Sequence, residues 1–299
     1  MLERVVQRRL TILVTLAIAV MGAGTANSVV VLDETWSEYG GSEAEPSSGF
    51  GAHIALAKKK DFAAGFGLWD GDAFAASGTW IGNDSSGSAY ILTSAHNFEP
   101  GDDASVWTYV SSTNQEYGGS ELWLHPNYDH TSDQSGDFDL AIVRLDGSLF
   151  DVGPQPLLYQ GASELGGTIV IVGYGSRGLG STGEQDEFYD EPVAAAAMNI
   201  VDDVNGECGN HCIMYDFDAS HGSANGLDGS PEPINKFEGI LGSGDSGGGT
   251  WLQVGGDWVL VGVNSWGDDS VYGSVSSATR ISDHADWISS VFPEAAFTE

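Results

Sequence analysis

The sequence predicts an all-β protein, a barrel or a sandwich. Short apolar runs rich in β-branched and aromatic residues recur along the chain, separated by Gly, Ser, Asn and Asp. Long helical periodicity is nearly absent, and no internal repeat of fixed period is found. Examples of these apolar runs are HIALA (53–57), SAYILTSA (88–95), SVWTYV (105–110), LAIVRL (140–145), TIVIVGYG (168–175), GTWLQV (249–254) and WVLVGVNSW (258–266). Residues 151–165 look like a connection between two β units. The acidic, Gly-rich stretches 36–50, 177–191 and 216–239 read as loops, long for structureless connections, a length that goes with function or mobility. The end differs. Ile281, Ala285, Ile288 and Phe292 recur at helical spacing and Ser282 stands where a cap belongs, so one C-terminal helix is expected.

The chain has 299 residues, 41% of them apolar, enough for one large or two smaller packed domains. Its formal net charge of −33 argues against nucleic acid, whose phosphates select Lys and Arg, and against anionic membrane surfaces. Residues 1–26 read as a secretory signal: Arg4, Arg8 and Arg9, then an apolar run from Leu10 to Val20, then small residues. Cleavage is expected after Ala26. The run is too short to span a bilayer comfortably, so the exported protein is expected without stable membrane insertion; a retained anchor is the alternative.

Cys208 and Cys212 are the only cysteines, in GECGNHC. In an exported chain they are expected to form a small disulfide loop. Free thiols, or a metal site using His211 between them, are the other readings, and no fourth ligand stands nearby.

The stretch GSGDSGGGTW (242–251) isolates Ser246 among glycines. Glycine is costly in ordered elements, so the run implies a tight bend or close backbone approach. A nucleophilic serine needs both, but it also needs a base and an orienting acid. Of seven histidines, His96 ends an apolar strand in AYILTSAHNF; alone it reads as well as a satisfied core histidine. In SGDFDLAIVRL, Asp137 and Asp139 face the same side of a strand, and the apolar run starts directly after Asp139. A carboxylate entering a buried run needs a partner to offset desolvation.

Together these pieces resemble the trypsin-like (chymotrypsin-fold) serine proteases. The histidine box Thr-Ala-Ala-His is matched by Thr93-Ser94-Ala95-His96, the acid box by Asp139-Leu140-Ala141-Ile142, and the nucleophile box by Gly244-Asp245-Ser246-Gly247-Gly248. HPNYD (125–129), VGYG (172–175) and VNSWG (263–267) match between and after the boxes. The resemblance implies two six-stranded Greek-key β-barrels with a C-terminal α-helix. It divides the chain into a segment 27–37, a protease domain 38–292 (barrels about 38–155 and 160–281, helix about 282–292) and a tail 293–299. It implies a secreted serine endopeptidase, expected to be a monomer acting on proteins or peptides, without cofactor or metal. His96, Asp139 and Ser246 would be the triad, with the N–H groups of Gly244 and Ser246 as oxyanion donors. Ser265, Trp266 and Gly267 would form the substrate strand. Ile240, followed by Leu241, would be the base of the specificity pocket, which disfavours Arg and Lys and favours apolar or small residues; a slip of two would put Glu238 there instead. Ser276 or Ser277 would narrow one wall.

The departures are informative. Asn97 and Ser77 stand where a disulfide is usual, and Gly249 replaces a proline. Many members pair a freed Ile or Val amine with the aspartate before the serine, here Asp245. The corresponding region is read as Glu38-Tyr39, with no tryptic site ahead of it. The alternatives to an enzyme are a catalytically silent binding protein on the same fold, or a structural or adhesive protein worked by the acidic loops.

Overall fold

A computed structural model describes residues 29–131, 137–185, 188, 192–204 and 211–299. The signal reading of 1–26 and Cys208 lie outside them.

After β1 (Val30–Val31) come two short helices, α1 (Asp33–Glu38) and α2 (Gly51–Ala57). The run HIALA was expected to be a strand; it lies in α2 instead. Its alanines and leucine favour a helix, and His53, Leu56 and Ala57 bury one face at helical spacing. A five-residue apolar run does not by itself separate the two periods. The loop expected at 36–50 contains the end of α1 and a 3₁₀ turn, Pro46–Phe50.

Six strands then close into a barrel: β2 (Gly65–Asp70), β3 (Ala73–Asn83), β4 (Ala89–Thr93), β5 (Trp107–Ser111), β6 (Glu116–Leu124) and β7 (Ala141–Leu145), in the order β2-β3-β4-β7-β6-β5. Phe66, Leu68, Ile91, Tyr109 and Val143 fill it and are fully buried. The second half contains β8 (Thr168–Gly173), β9 (Gly178–Leu179), β10 (Gly183–Glu184), β11 (Ala195–Ile200), β12 (Cys212–Asp216), β13 (Gly239–Ile240), β14 (Gly249–Val254), β15 (Asp257–Gly267) and β16 (Val275–Arg280). Six of these form a sheet in the order β11-β8-β14-β15-β16-β12, and a small sheet runs β10-β9-β1-β13.

The second unit is thus a half-barrel, where a closed one was expected. Between its edge strands β11 and β12 a side chain does part of the bridging. Asn199 Nδ2 donates to Asp216 O at 2.8 Å and to Gly239 O at 3.1 Å. The connection 151–165 threads between the units, and Leu158 bridges to both Leu260 and Phe297. Glu164 in this connection receives a bidentate pair from Arg280, at 2.7 and 2.8 Å. The chain ends in α3 (Ala285–Val291), preceded by a 3₁₀ turn, Ile281–His284. Ser282 does not cap it; its hydroxyl reaches Glu164 at 3.4 Å.

Candidate active site

β4 and β7 are antiparallel neighbours, with Thr93 opposite Ala141. His96 lies three residues past Thr93, in a 3₁₀ turn, and Asp139 lies two residues ahead of Ala141. This register brings imidazole and carboxylate together at one end of the barrel. His96 donates its main-chain N–H to Asp139 Oδ1 at 2.8 Å, and its Nδ1 meets Oδ2 at 2.6 Å. Asp139 is fully buried. The Ser265 hydroxyl donates to the same Oδ2 at 2.6 Å. Burial disfavours the imidazolium, but the attraction of Asp139 and its hydrogen bond outweigh this and hold the His96 pKa above its ordinary 6.5. Phe138, directly before Asp139, is held by ring contacts to His125, His211 and His284 at 5.0, 5.1 and 5.5 Å. Asp137 Oδ1, by contrast, is buried without a hydrogen-bond partner.

Ser246 sits in a turn between β13 and β14. Gly244 and Gly247 flank its neighbourhood at φ +89° and +87°, a region L side chains rarely adopt. A Cβ on Gly247 would overlap Thr93 Oγ1 and the Ser77 carbonyl, and one on Gly244 would come within 2.8 Å of Phe74. Bare α-carbons therefore let the turn seat against the first barrel. Ser77 N donates to Ser246 O at 2.8 Å, and Ser77 Oγ donates to Gly244 O at 2.8 Å. Asn97, next to His96, reaches Ser246 O at 3.4 Å. Ser77 and Asn97, standing where the family's disulfide is usual, thus hydrogen-bond the nucleophile turn. Among the described residues, the N–H groups of Gly244 and Ser246 have no protein acceptor.

Asp245 is fully buried and turned away from the cleft. Its Oδ1 accepts from Gly175 N at 2.8 Å; its Oδ2 accepts from Gly242 N at 2.8 Å and Val29 N at 3.2 Å. Val29, Val30 and Val31 are fully buried, and β1 pairs with β13 and β9. This corrects the reading of Glu38-Tyr39 as the corresponding region. Those residues end α1, nearer the surface, and Val29-Val30 occupy the place beside Asp245.

A cleft of about 220 Å³ opens beside Ser246. Leu241, Ser265, Trp266 and Gly267 are among the residues that line it. Ile240 does not: it pairs with Val30 in the small sheet, and its side chain is fully buried in the core of the second unit. Strand alternation turns it inward and leaves Leu241 to the cleft. Glu238 is also elsewhere, its carboxylate accepting from Asp218 N at 2.9 Å and from Ile234 N. The sequence reading missed Glu184 and Asp268, which line the cleft. Glu184 Oε1 accepts from Ser243 N at 2.9 Å and Ser243 Oγ at 3.0 Å. Its position in a short strand of an acidic loop carries no sequence signal.

Cys212 is buried at the start of β12, and among the described residues no cysteine is free. His211 joins the rings around Phe138 and lies 3.5 Å from Asp283. Among the described residues, no group of three or more His, Cys, Asp or Glu is placed to hold a metal, and no helix is long and apolar enough to cross a membrane.

No match is found among curated proteins. Among solved structures the chain is similar to neuropsin, a serine protease expressed in the limbic system of mouse brain. The two are 18% identical, with a TM-score of 0.57 over 78% of this chain and 95% of that one, a likeness of fold. The family model described as Trypsin matches residues 73–288, most of the chain, and with the barrel, half-barrel and terminal helix it places this protein in the trypsin family of serine proteases.

Proposed function

We propose that the chain is a secreted serine endopeptidase, acting as a monomer on proteins or peptides, with His96, Asp139 and Ser246 as its triad. The observation that carries this is the doubly hydrogen-bonded His96–Asp139 pair, with Asn97, the residue after His96, reaching the carbonyl of Ser246. The mechanism is the one established for this family's triad. Ser246 Oγ attacks the scissile carbonyl while His96 Nε2 takes its proton. The imidazolium, stabilised by Asp139, returns that proton to the leaving amine, and water then releases the acyl group by the same route. The N–H groups of Gly244 and Ser246 receive the oxyanion; losing such a donor costs about 3 kcal/mol of transition-state stabilisation.

The proposed preference is for apolar or small uncharged residues, resting on Leu241 and Trp266 in the cleft wall, with Leu241 in the role first read for Ile240. Glu184 has its carboxylate engaged by Ser243. The pair Cys208–Cys212 is proposed as a local disulfide. The signal is proposed to be removed so that Val29 becomes the first residue. Ala26-Asn27-Ser28 has the small-x-small pattern that such cleavage uses, two residues beyond the site first expected.

The test is covalent labelling by a fluorophosphonate together with casein hydrolysis. Labelling and hydrolysis that vanish in a folded Ser246→Ala protein are expected. A folded wild-type protein that neither labels nor cuts would establish the silent binding protein instead. Cleavage-site profiling dominated by Arg or Lys would reject the apolar preference and assign Glu184 and Asp268 as the cleft's working carboxylates.

A further inference from the structure

Asn264 is fully buried in the interior of β15. An amide there is costly unless its polar atoms are all met. Its Nδ2 donates to Val172 O at 3.1 Å and to Asp245 O at 3.2 Å. Its Oδ1 accepts from Thr250 Oγ1 at 2.7 Å. Its main-chain N donates to Gly248 O at 2.9 Å, and its carbonyl accepts from Gly247 N at 2.8 Å and from Ser94 Oγ at 3.0 Å. The amide has one satisfactory orientation. Reversed, its oxygen would face two carbonyls.

These bonds reach the segments that carry Ser246 and His96, and the neighbouring residue Ser265 reaches Asp139. Asp245, Gly247 and Gly248 surround Ser246. Ser94 lies two residues before His96. Ser265, the next residue of β15, donates to Asp139. The β15–β16 register shifts between Asn264 and Trp266, a bulge that lets Asn264 and Ser265 both point inward. Neither the histidine box nor the nucleophile box contains Asn264, yet it touches both segments.

We propose that Asn264 is a positioning residue that sets the Ser246 turn in register with His96 and Asp139, an inference that rests on reading those three as the triad. An aliphatic side chain of like size would fill the space. It would take a donor from the carbonyls of Val172 and Asp245, leaving Asp245 O to Gly248 N, and would remove the side-chain tie between the turn and β15.

The experiment compares wild type, Asn264→Leu and Thr250→Val, each checked for folding by circular dichroism and melting temperature. kcat and KM are measured separately on one peptide substrate, and the rate of fluorophosphonate labelling is followed. In Asn264→Leu, kcat and the labelling rate are expected to fall about 100-fold with KM within about twofold, the size of loss that a 1 Å misplacement causes. In Thr250→Val, which removes one hydrogen bond to the amide, both are expected to fall about fivefold. A folded Asn264→Leu protein with wild-type kcat and labelling rate overturns the proposal, even if its melting temperature drops. If Asn264→Leu does not fold, unchanged rates in folded Thr250→Val overturn it. Wild type that does not label at all overturns the triad reading and this inference together. Wild type and variants that label equally overturn this inference alone.

Discussion

Val29 donates its main-chain N–H to the buried Oδ2 of Asp245 at 3.2 Å, across 216 positions of sequence. Val29 also sits at φ +63°. For a β-branched residue that is strained backbone, by about 1–3 kcal/mol. The strain exists only while residue 28 is attached, because an N-terminal residue has no φ. A chain cut before Val29 loses the strain and places a free ammonium against the carboxylate. N-terminal sequencing of the mature protein is therefore expected to read Val-Val-Val-Leu. A fully active protein beginning at Asn27 would reject this.

Asp139→Asn is expected to lower kcat by about 10⁴, the loss known for the equivalent change in a Ser-His-Asp triad of this family. Asp137→Asn, at a carboxylate whose Oδ1 has no hydrogen-bond partner, should cost less than about tenfold. The reverse ranking would move the orienting role by two residues.

The acid limb of kcat/KM follows from the state of His96, which must be neutral to accept the Ser246 proton. Burial lowers its pKa, but the Asp139 charge and hydrogen bond more than offset this, so the midpoint is expected above 6.5. Activity rises with pH through that midpoint. In residual-activity assays of Asp139→Asn the midpoint should move down. An unmoved midpoint would assign the limb to another group.

Stability should carry a second pH signature, from a buried acidic group near β12 and β13. Burial raises the pKa of Glu238 to about 8, of Asp216 to about 7 and of Asp218 to about 6. Asp218 also feels Asp202 and Glu232, and Ser230 Oγ bridges Asp202 and Asp218. A carboxyl whose pKa is raised on folding contributes stability fully below its unfolded value near 4. That contribution is lost as pH rises through the folded values of about 6 to 8. Melting temperature is thus expected to fall between pH 5 and pH 9 by this term, and Glu238→Gln to flatten the fall and melt above wild type at pH 9. A steeper fall in Glu238→Gln would contradict the assignment.

The residues that announce themselves are those at ends of apolar runs. His96, Asp139 and Ser246 each stand where a hydrophobic strand meets a polar or glycine-rich turn. Of the seven apolar runs given as examples, six overlap a strand; HIALA was too short to show its period. The strand β16 was not among the runs read, because Ser276, Ser277 and Thr279 are buried hydroxyl residues that look like loop. Asn264 and the side chain of Ser265 were hidden for the same reason: inside VNSWG they read as strand polarity, and only a bulge turns both inward. The cleft was misread by one residue because β13 pairs with β1, a partner from a stretch assigned to the leader and its flank. Glu184 comes from a loop whose fold leaves no periodic trace.

The contact of Gly247 with Thr93 and Ser77 divides the chemistry between two halves of the chain. On the proposed assignment, the base and the acid ride on the closed barrel and the nucleophile on the other unit, and the joint between them admits no side chain. Neither half alone holds a complete hydrolytic apparatus. Under that assignment hydrolysis is armed only when the two units have both folded and docked, so a chain still unfinished is in no position to cut itself or its neighbours. The tight glycine joint works as an interlock, releasing activity as the last consequence of folding.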